Sequence, residues 1–286
     1  MTKFDIFPDP ETPRDYGERV VAHSYLIVLA LFTFGPYVLM LSLSVMGQGW
    51  QPTRPPKVIP VEWSLINYQE LFSEFQFGQY LLNTFIIAGG TTLIVLVFDS
   101  LSGYAFARLE FWGRDVTFAG VLATLMISPM VLIIPVYVLF SQVGIDNTYI
   151  GIILPHAVTG FGVFLMRQFI KTLPSSLEDA ALIDGCSKFG IYWRIVLPMM
   201  KPALVTLGLI TFITTWKSFL WPLVLARDQA LYPLTVALGF FQGQLYTDWS
   251  GLMAATTLTM LPVVVLFVSM QKQYVRGFRI GGMKGE

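Results

Sequence analysis

Charge is what this chain has least of. Only 13% of its 286 residues are Asp, Glu, Lys or Arg, about half of the ~25% carried by a soluble domain, which is too few to build a water-facing surface of this size. Eighteen basic and eighteen acidic side chains cancel, so there is no basic surplus for nucleic acid. A single cysteine, Cys186, excludes an intrachain disulfide and a cysteine-based metal cluster, and reads as a small residue in a polar segment. His23 and His156 stand alone, outside any HExxH spacing, so no metal site is expected. The phosphate-binding pattern G-x-x-x-x-G-K-[ST] is missing. Gly277 to Lys284 comes nearest, but Met283 precedes the lysine and no Ser or Thr follows it. No cofactor is expected on this chain, and no G-x-S-x-G marks a serine hydrolase.

What fills the space instead is apolar sequence: 55% hydrophobic residues and a mean hydropathy of +0.64. A membrane-crossing helix needs about 20 mostly apolar residues. Six segments qualify, near 20–46, 80–107, 116–140, 147–168, 203–226 and 251–271, and the second and fifth contain Asp99 and Lys217. Residues 1–19 carry five acids and three bases among scattered prolines, which reads as a cytosolic tail rather than a secretory signal. Orientation follows from the basic residues. With the N-terminus inside, the inner segments hold Lys3, Arg14, Arg19, Arg108, Arg114, Arg167, Lys171, Lys188, Arg194, Lys201, Lys272, Arg276, Arg279 and Lys284, against Arg54, Lys57 and Arg227 outside. The expected fold is therefore an all-α, multi-pass membrane protein of six transmembrane helices with both termini cytosolic. Its parts are a tail at 1–19, a transmembrane domain at 20–271 and a second tail at 272–286. An outer segment at 47–79 and a cytosolic loop at 171–202 interrupt the domain. Pro36, Pro129, Pro135, Pro155, Pro222 and Pro262 fall in or beside the spans, and each frees a carbonyl that neighbours or water must satisfy.

The loop is the most distinctive stretch. Ser175 and Ser176 suit a helix N-cap, with Glu178 and Asp179 in the first turn, where the helix dipole favours acids. Ala180 and Ala181 continue the helix with minimal side chains, and Gly185 permits a turn. The product is a short helix with a thin face that another protein can approach, flanked by acids able to meet a basic groove. Asp179-Ala180-Ala181, Asp184-Gly185, then Ile195, Leu197 and Pro198, in that register, closely resemble the EAA loop of permease subunits of bacterial ABC importers.

The resemblance extends over about residues 60–285 and points to the carbohydrate-importer branch, similar to the smaller permease of maltose systems. Asn67-Tyr68, Leu82-Asn83-Thr84, Gly103-Tyr104-Ala105-Phe106-Ala107-Arg108, Ile183-Asp184-Gly185, Asp248-Trp249 and Gly277 to Gly285 carry it. Two departures stand out: Asp179 replaces the usual Glu, and Trp216-Lys217-Ser218 replaces the usual Trp-Asn-Asp or Trp-Asn-Glu. The resemblance implies a type I importer permease in the bacterial cytoplasmic (inner) membrane. Its implied partners are a second permease subunit in a heterodimer, two ATPase subunits that hold ATP and Mg, and an extracytoplasmic solute-binding protein. It also implies alternating access driven through the loop, with Gly281, Gly282 and Lys284 as further ATPase contacts.

Asp99 and Lys217 are ionisable residues at membrane depth, where such groups face protein or water. Either they border the translocation cavity, or they pair with each other or with a partner subunit. A cation in the cavity would suit an acidic oligosaccharide better than a neutral one. Trp216, Phe219, Trp221, Phe240, Phe241 and Tyr246 cluster around the last two spans; they read either as sugar-stacking rings or as an interfacial aromatic belt. Two other classes of function stay open: an ion-coupled secondary sugar carrier, which leaves the loop spacing unexplained, and an intramembrane enzyme, for which no residue set is evident.

Overall fold

A computed structural model describes residues 13–47, 50, 60, 63–243 and 247–282, and the side chains of 13–16, 18 and 270–282 are outside that description. Apart from one isolated bridge between Gln242 and Thr247, the regular structure among the described residues is helical. Three helices are individually long and apolar enough to cross a membrane, rising to six if three bent pairs each count as one span.

The first long helix, α1 (Pro13–Ser44), begins inside the expected tail and packs chiefly on the last helix. After a short α2 (Ile66–Ser73), α3 (Phe77–Arg108) runs 32 residues without a proline, about 48 Å at 1.5 Å per residue. It is the central strut. Gly103 is the reason α3 and a later helix can touch: a Cβ there would stand 2.5 Å from Met166 Cβ and 2.9 Å from Arg167 N.

The expected third, fourth and fifth spans are broken rather than straight. α4 (Arg114–Thr124) and α5 (Pro129–Val143) meet at 101°, where Pro129 holds Ser128 in the extended region. α6 (Tyr149–Ile153) passes through a 3₁₀ turn at Leu154–His156, containing Pro155, into α7 (Gly160–Lys171), with a 51° bend. A polar segment then holds α8 (Ser176–Ile183), α9 (Lys188–Ile191), a π turn at Tyr192–Val196 and α10 (Leu197–Met199). α11 (Lys201–Trp216) turns off this segment at 76° and stops at Lys217, short of the expected end near 226. α12 (Leu220–Leu225) and α13 (Leu234–Ala237) follow. α14 (Trp249–Gly282) continues as helix well past residue 271.

Two apolar clusters hold opposite ends of the bundle. One joins α3, α7, α8 and the π turn through Tyr104, Met166, Ile170, Ala181, Ile191 and Tyr192. The other joins Leu71, Phe77, Trp216, Leu234 and Ala254. Large apolar side chains remain on the outside, among them Phe32 at 83%, Val116 at 78% and Ile134 at 74% exposure. A surface of that kind belongs against lipid or another subunit.

Candidate coupling loop and intramembrane residues

Helix α8 starts without the side-chain cap that the serines suggested. Ser175 occupies the cap position in a helical conformation and makes no side-chain cap bond; its carbonyl instead accepts from Glu178 N and Asp179 N at 2.9 and 3.0 Å. The far end closes as expected from Gly185, whose φ is +80°. Gly185 N donates to Leu182 O at 3.0 Å and Cys186 N to Ala181 O at 2.9 Å, the paired bonds that end a helix in a left-handed residue.

The two alanines and the two acids do not share a face. Ala181 and Glu178 turn inward and are 7% and 9% exposed. Asp179, Ala180, Asp184 and Gly185 are exposed, together with Leu177, Leu182 and Ile183, the last at 87%. Glu178 is thus unavailable as an outward acid. Its Oε1 accepts from Arg108 Nε at 2.6 Å, and the same guanidinium donates through Nη2 to Ile170 O at 3.0 Å and Leu173 O at 2.7 Å. Downstream, Ile195 and Leu197 are half-buried against the α3–α7–α8 cluster, while Pro198 is exposed in the first turn of α10.

Asp99 is fully buried in α3. Its carboxylate accepts from Thr159 N at 3.1 Å and Thr159 Oγ1 at 2.6 Å, while Thr159 Oγ1 accepts from Gly162 N at 2.9 Å. The acid therefore secures the start of α7 at its bend, where a helix dipole and unpaired N–H groups attract a negative charge. A Cβ at Gly162 would overlap this carboxylate, with Asp99 Cγ only 2.8 Å away. Among the described residues no ion pair joins Asp99 to Lys217. Lys217 lies exposed at the C-terminal end of α11, in the break before α12. Trp216 is 2% exposed and donates from Nε1 to Thr259 O at 3.2 Å, so its ring faces are committed to Phe85 and Phe212. Trp221 is also buried, whereas Phe219 and Phe240 are exposed at 45% and 46%. Phe241 is half-buried against Phe75, and Tyr246 lies outside the described residues. A groove of about 300 Å³ between α3, α11 and α14, lined by Thr92, Leu96, Gly208 and Phe212, is too apolar to hold a sugar. Gly281 and Gly282 end α14, and Lys284 lies outside the described residues.

At the other end of α3, the buried Asn83 donates to Ala230 O at 2.8 Å and Tyr232 O at 2.9 Å and accepts from Tyr149 Oη at 2.6 Å. Thr84 Oγ1 accepts from Leu234 N at 2.9 Å. Asn147, with φ +55°, accepts from Arg227 N and Asp228 N, and Arg227 pairs with Asp146. Nothing in the sequence marks Thr159 as the partner of Asp99 or Arg108 as the partner of Glu178; Asn83 and Arg108 are marked only by lying in the stretches that carry the family resemblance.

The family described as binding-protein-dependent transport system inner membrane component matches residues 99–280, which contain α7, α8 and the whole polar segment. The chain belongs to this family. Among relatives of the permease, the arabinooligosaccharides transport system permease protein AraQ of Bacillus subtilis (strain 168) is 31% identical over 91% of this chain and 94% of that one. The sulfoquinovosyl glycerol transport system permease protein SmoH of Agrobacterium fabrum is 29% identical over 93% of each. In fold, the permease is similar to a chain from a bacterial ABC transporter involved in the import of the acidic polysaccharide alginate. That match has a TM-score of 0.80 and 24% identity, covering 93% of this chain and 99% of that one.

Proposed function

We propose that this permease forms half of the translocation pathway of an ABC importer for an oligosaccharide, and that α8 is the element through which a separate ATPase drives it. The observation that carries the proposal is the outward face of α8. Asp179 and Asp184 flank Leu177, Leu182 and Ile183, which are 45%, 47% and 87% exposed. Burying one such aliphatic side chain fully is worth about 1.5–3 kcal/mol, and two carboxylates beside it suit a groove with basic rims. In a soluble environment this helix would waste that apolar area. Against a nucleotide-hydrolysing subunit it becomes the contact.

The partners in this reading are a second permease subunit, two ATPase subunits carrying ATP and Mg, and an extracytoplasmic binding protein that delivers the solute. The membrane is the bacterial cytoplasmic one, with α8 and the α14 end on the cytosolic side. Carbohydrate as cargo is supported by the similarity to the arabinooligosaccharide and sulfoquinovosyl glycerol permeases. Lys217, free of ion pairs among the described residues and sited at a helix break, favours an acidic glycan within that class.

Crosslinking from Ile183→Cys in native membranes tests the proposal, since this side chain is 87% exposed on the outward face of α8. An ATPase subunit is the expected product. Sugar accumulation by the purified chain alone, driven by an ion gradient, would instead make it a secondary carrier.

A further inference from the structure

The geometry points to Arg108 and Glu178 as a latch that makes the coupling helix and the bundle move as one body. This inference rests on the docking role of α8 proposed above and concerns how motion leaves that helix. Helix α8 has eight residues, too few to keep its place by helix stability alone. It is joined to α7 and α9 through non-helical residues, including Gly185 at φ +80°. Pushed from outside, an unanchored α8 would swing on these joints and pass little displacement to the spans.

Arg108 removes that freedom. It is the last residue of α3, and one guanidinium binds three segments at once: Glu178 in the first turn of α8 (2.6 Å), Ile170 O in the last turn of α7 (3.0 Å) and Leu173 O just beyond it (2.7 Å). A planar, always-charged fork fixes direction as well as distance, which a lysine does not. The pair is largely shielded, with side-chain exposures of 18% and 11%, so solvent competes weakly for it. The body on the far side of the latch is stiff. Gly103 lets α3 and α7 touch closely, and Arg167 donates back from α7 to Phe106 O at 3.2 Å while lying over the Phe118 ring. Twenty-five residues along α3 from Arg108, or about 38 Å at 1.5 Å per residue, Asn83 and Thr84 grip residues 230, 232 and 234. A shift of α8 is thus delivered through one unbroken helix to the opposite end of the protein. Arg108 and Glu178 act as positioning residues, through bonds that tie α8 to α3 and α7.

The test uses the complete complex with its partner subunits in nanodiscs, with Cys186→Ser and a reporter Thr214→Cys on the exposed side of α11. Maleimide labelling of the reporter is compared without nucleotide and with ATP plus vanadate. In the parent complex, nucleotide should change the labelling rate about tenfold, within the usual range of coupling between sites. Arg108→Ala and Glu178→Ala should compress that change below about twofold, while Ile183→Cys still crosslinks to the ATPase and ATP hydrolysis persists. Arg108→Lys, which keeps the charge but not the fork, should restore part of the change. A full nucleotide response in both alanine variants overturns the latch and leaves the docking role standing. If Arg108→Ala does not assemble, Glu178→Ala decides alone, because Arg108 then still holds the α7 carbonyls. A parent complex with neither crosslink nor nucleotide response sinks the docking role and the latch together.

Discussion

Gly162→Ala should destabilise this permease chiefly because Asp99 is there. The new methyl would meet Thr159 Oγ1 at 2.7 Å and Asp99 Cγ at 2.8 Å, and overlap the carboxylate oxygen that Thr159 Oγ1 contacts. Gly162 sits in the first turn of α7, so the methyl cannot swing away and the carboxylate must move. Three contributions set the size. Overpacking costs about 1–3 kcal/mol. Losing one charge-assisted bond to the buried carboxylate costs about 1.5–3 kcal/mol. Against these, replacing glycine by alanine in a helix recovers at most about 1 kcal/mol, and less in the first turn. A net loss of roughly 2–4 kcal/mol is expected from these terms. Asp99→Ala is itself destabilising, because Thr159 N–H and Oγ1–H lose a buried acceptor, yet it removes the closest obstruction to the methyl and frees the Thr159 hydroxyl, the remaining one, to shift. Adding Gly162→Ala to Asp99→Ala should then cost no more than about 1 kcal/mol, leaving an interaction energy well above the ~0.5 kcal/mol expected of independent sites. Heating the purified complex and following loss of its monodisperse peak on size exclusion would rank the four proteins. Equal penalties for Gly162→Ala in the two backgrounds, or no penalty in either, would refute the reading of Asp99 as the support of the α7 terminus.

Ile183→Asp, at an 87% exposed position, should leave thermal stability within about 0.5 kcal/mol of the parent while the ATPase no longer co-purifies; retained co-purification would count against the apolar docking face. Asn83→Ala should cost about 2–5 kcal/mol, since it orphans the Ala230 and Tyr232 carbonyls together with the Tyr149 hydroxyl. Limited proteolysis should then cut the 226–233 segment faster than in the parent. Lys217→Ala should lower uptake of a trigalacturonate by about tenfold or more, the loss of one charge-assisted contact, and change uptake of neutral arabinotriose little. Equal effects on the two probes, or none, would remove Lys217 from solute recognition.

Much of the architecture is legible in the sequence because hydropathy is a local property. The apolar runs, the polar interval between α7 and α11 and the turn at Gly185 all follow from residues close together in the chain. The bends are less so. Proline marks where a helix is weakened, yet Pro36 and Pro262 lie inside continuous helices whereas Pro129 and Pro155 accompany breaks. The difference is set by what packs against each site. The serines before α8 mislead for a related reason: cap preference is a statistical tendency of the residue type, and here the chain enters the helix already in helical conformation, so the side chain has no cap to make.

The sequence by itself determines that this protein is helical and membrane-embedded, and where its polar segment around α8 lies, since composition, hydrophobic run length and motif spacing are all written along one dimension. Tertiary structure alone decides which face of that segment is offered outward. Glu178 and Asp179 are adjacent and chemically alike, yet one is sealed against an arginine 70 residues away and the other is left exposed. Asp99 likewise acquires its meaning from Thr159, 60 residues further on. A buried charge takes whatever partner folding brings within about 3 Å, and that proximity is a property of the packed bundle and not of the order of residues.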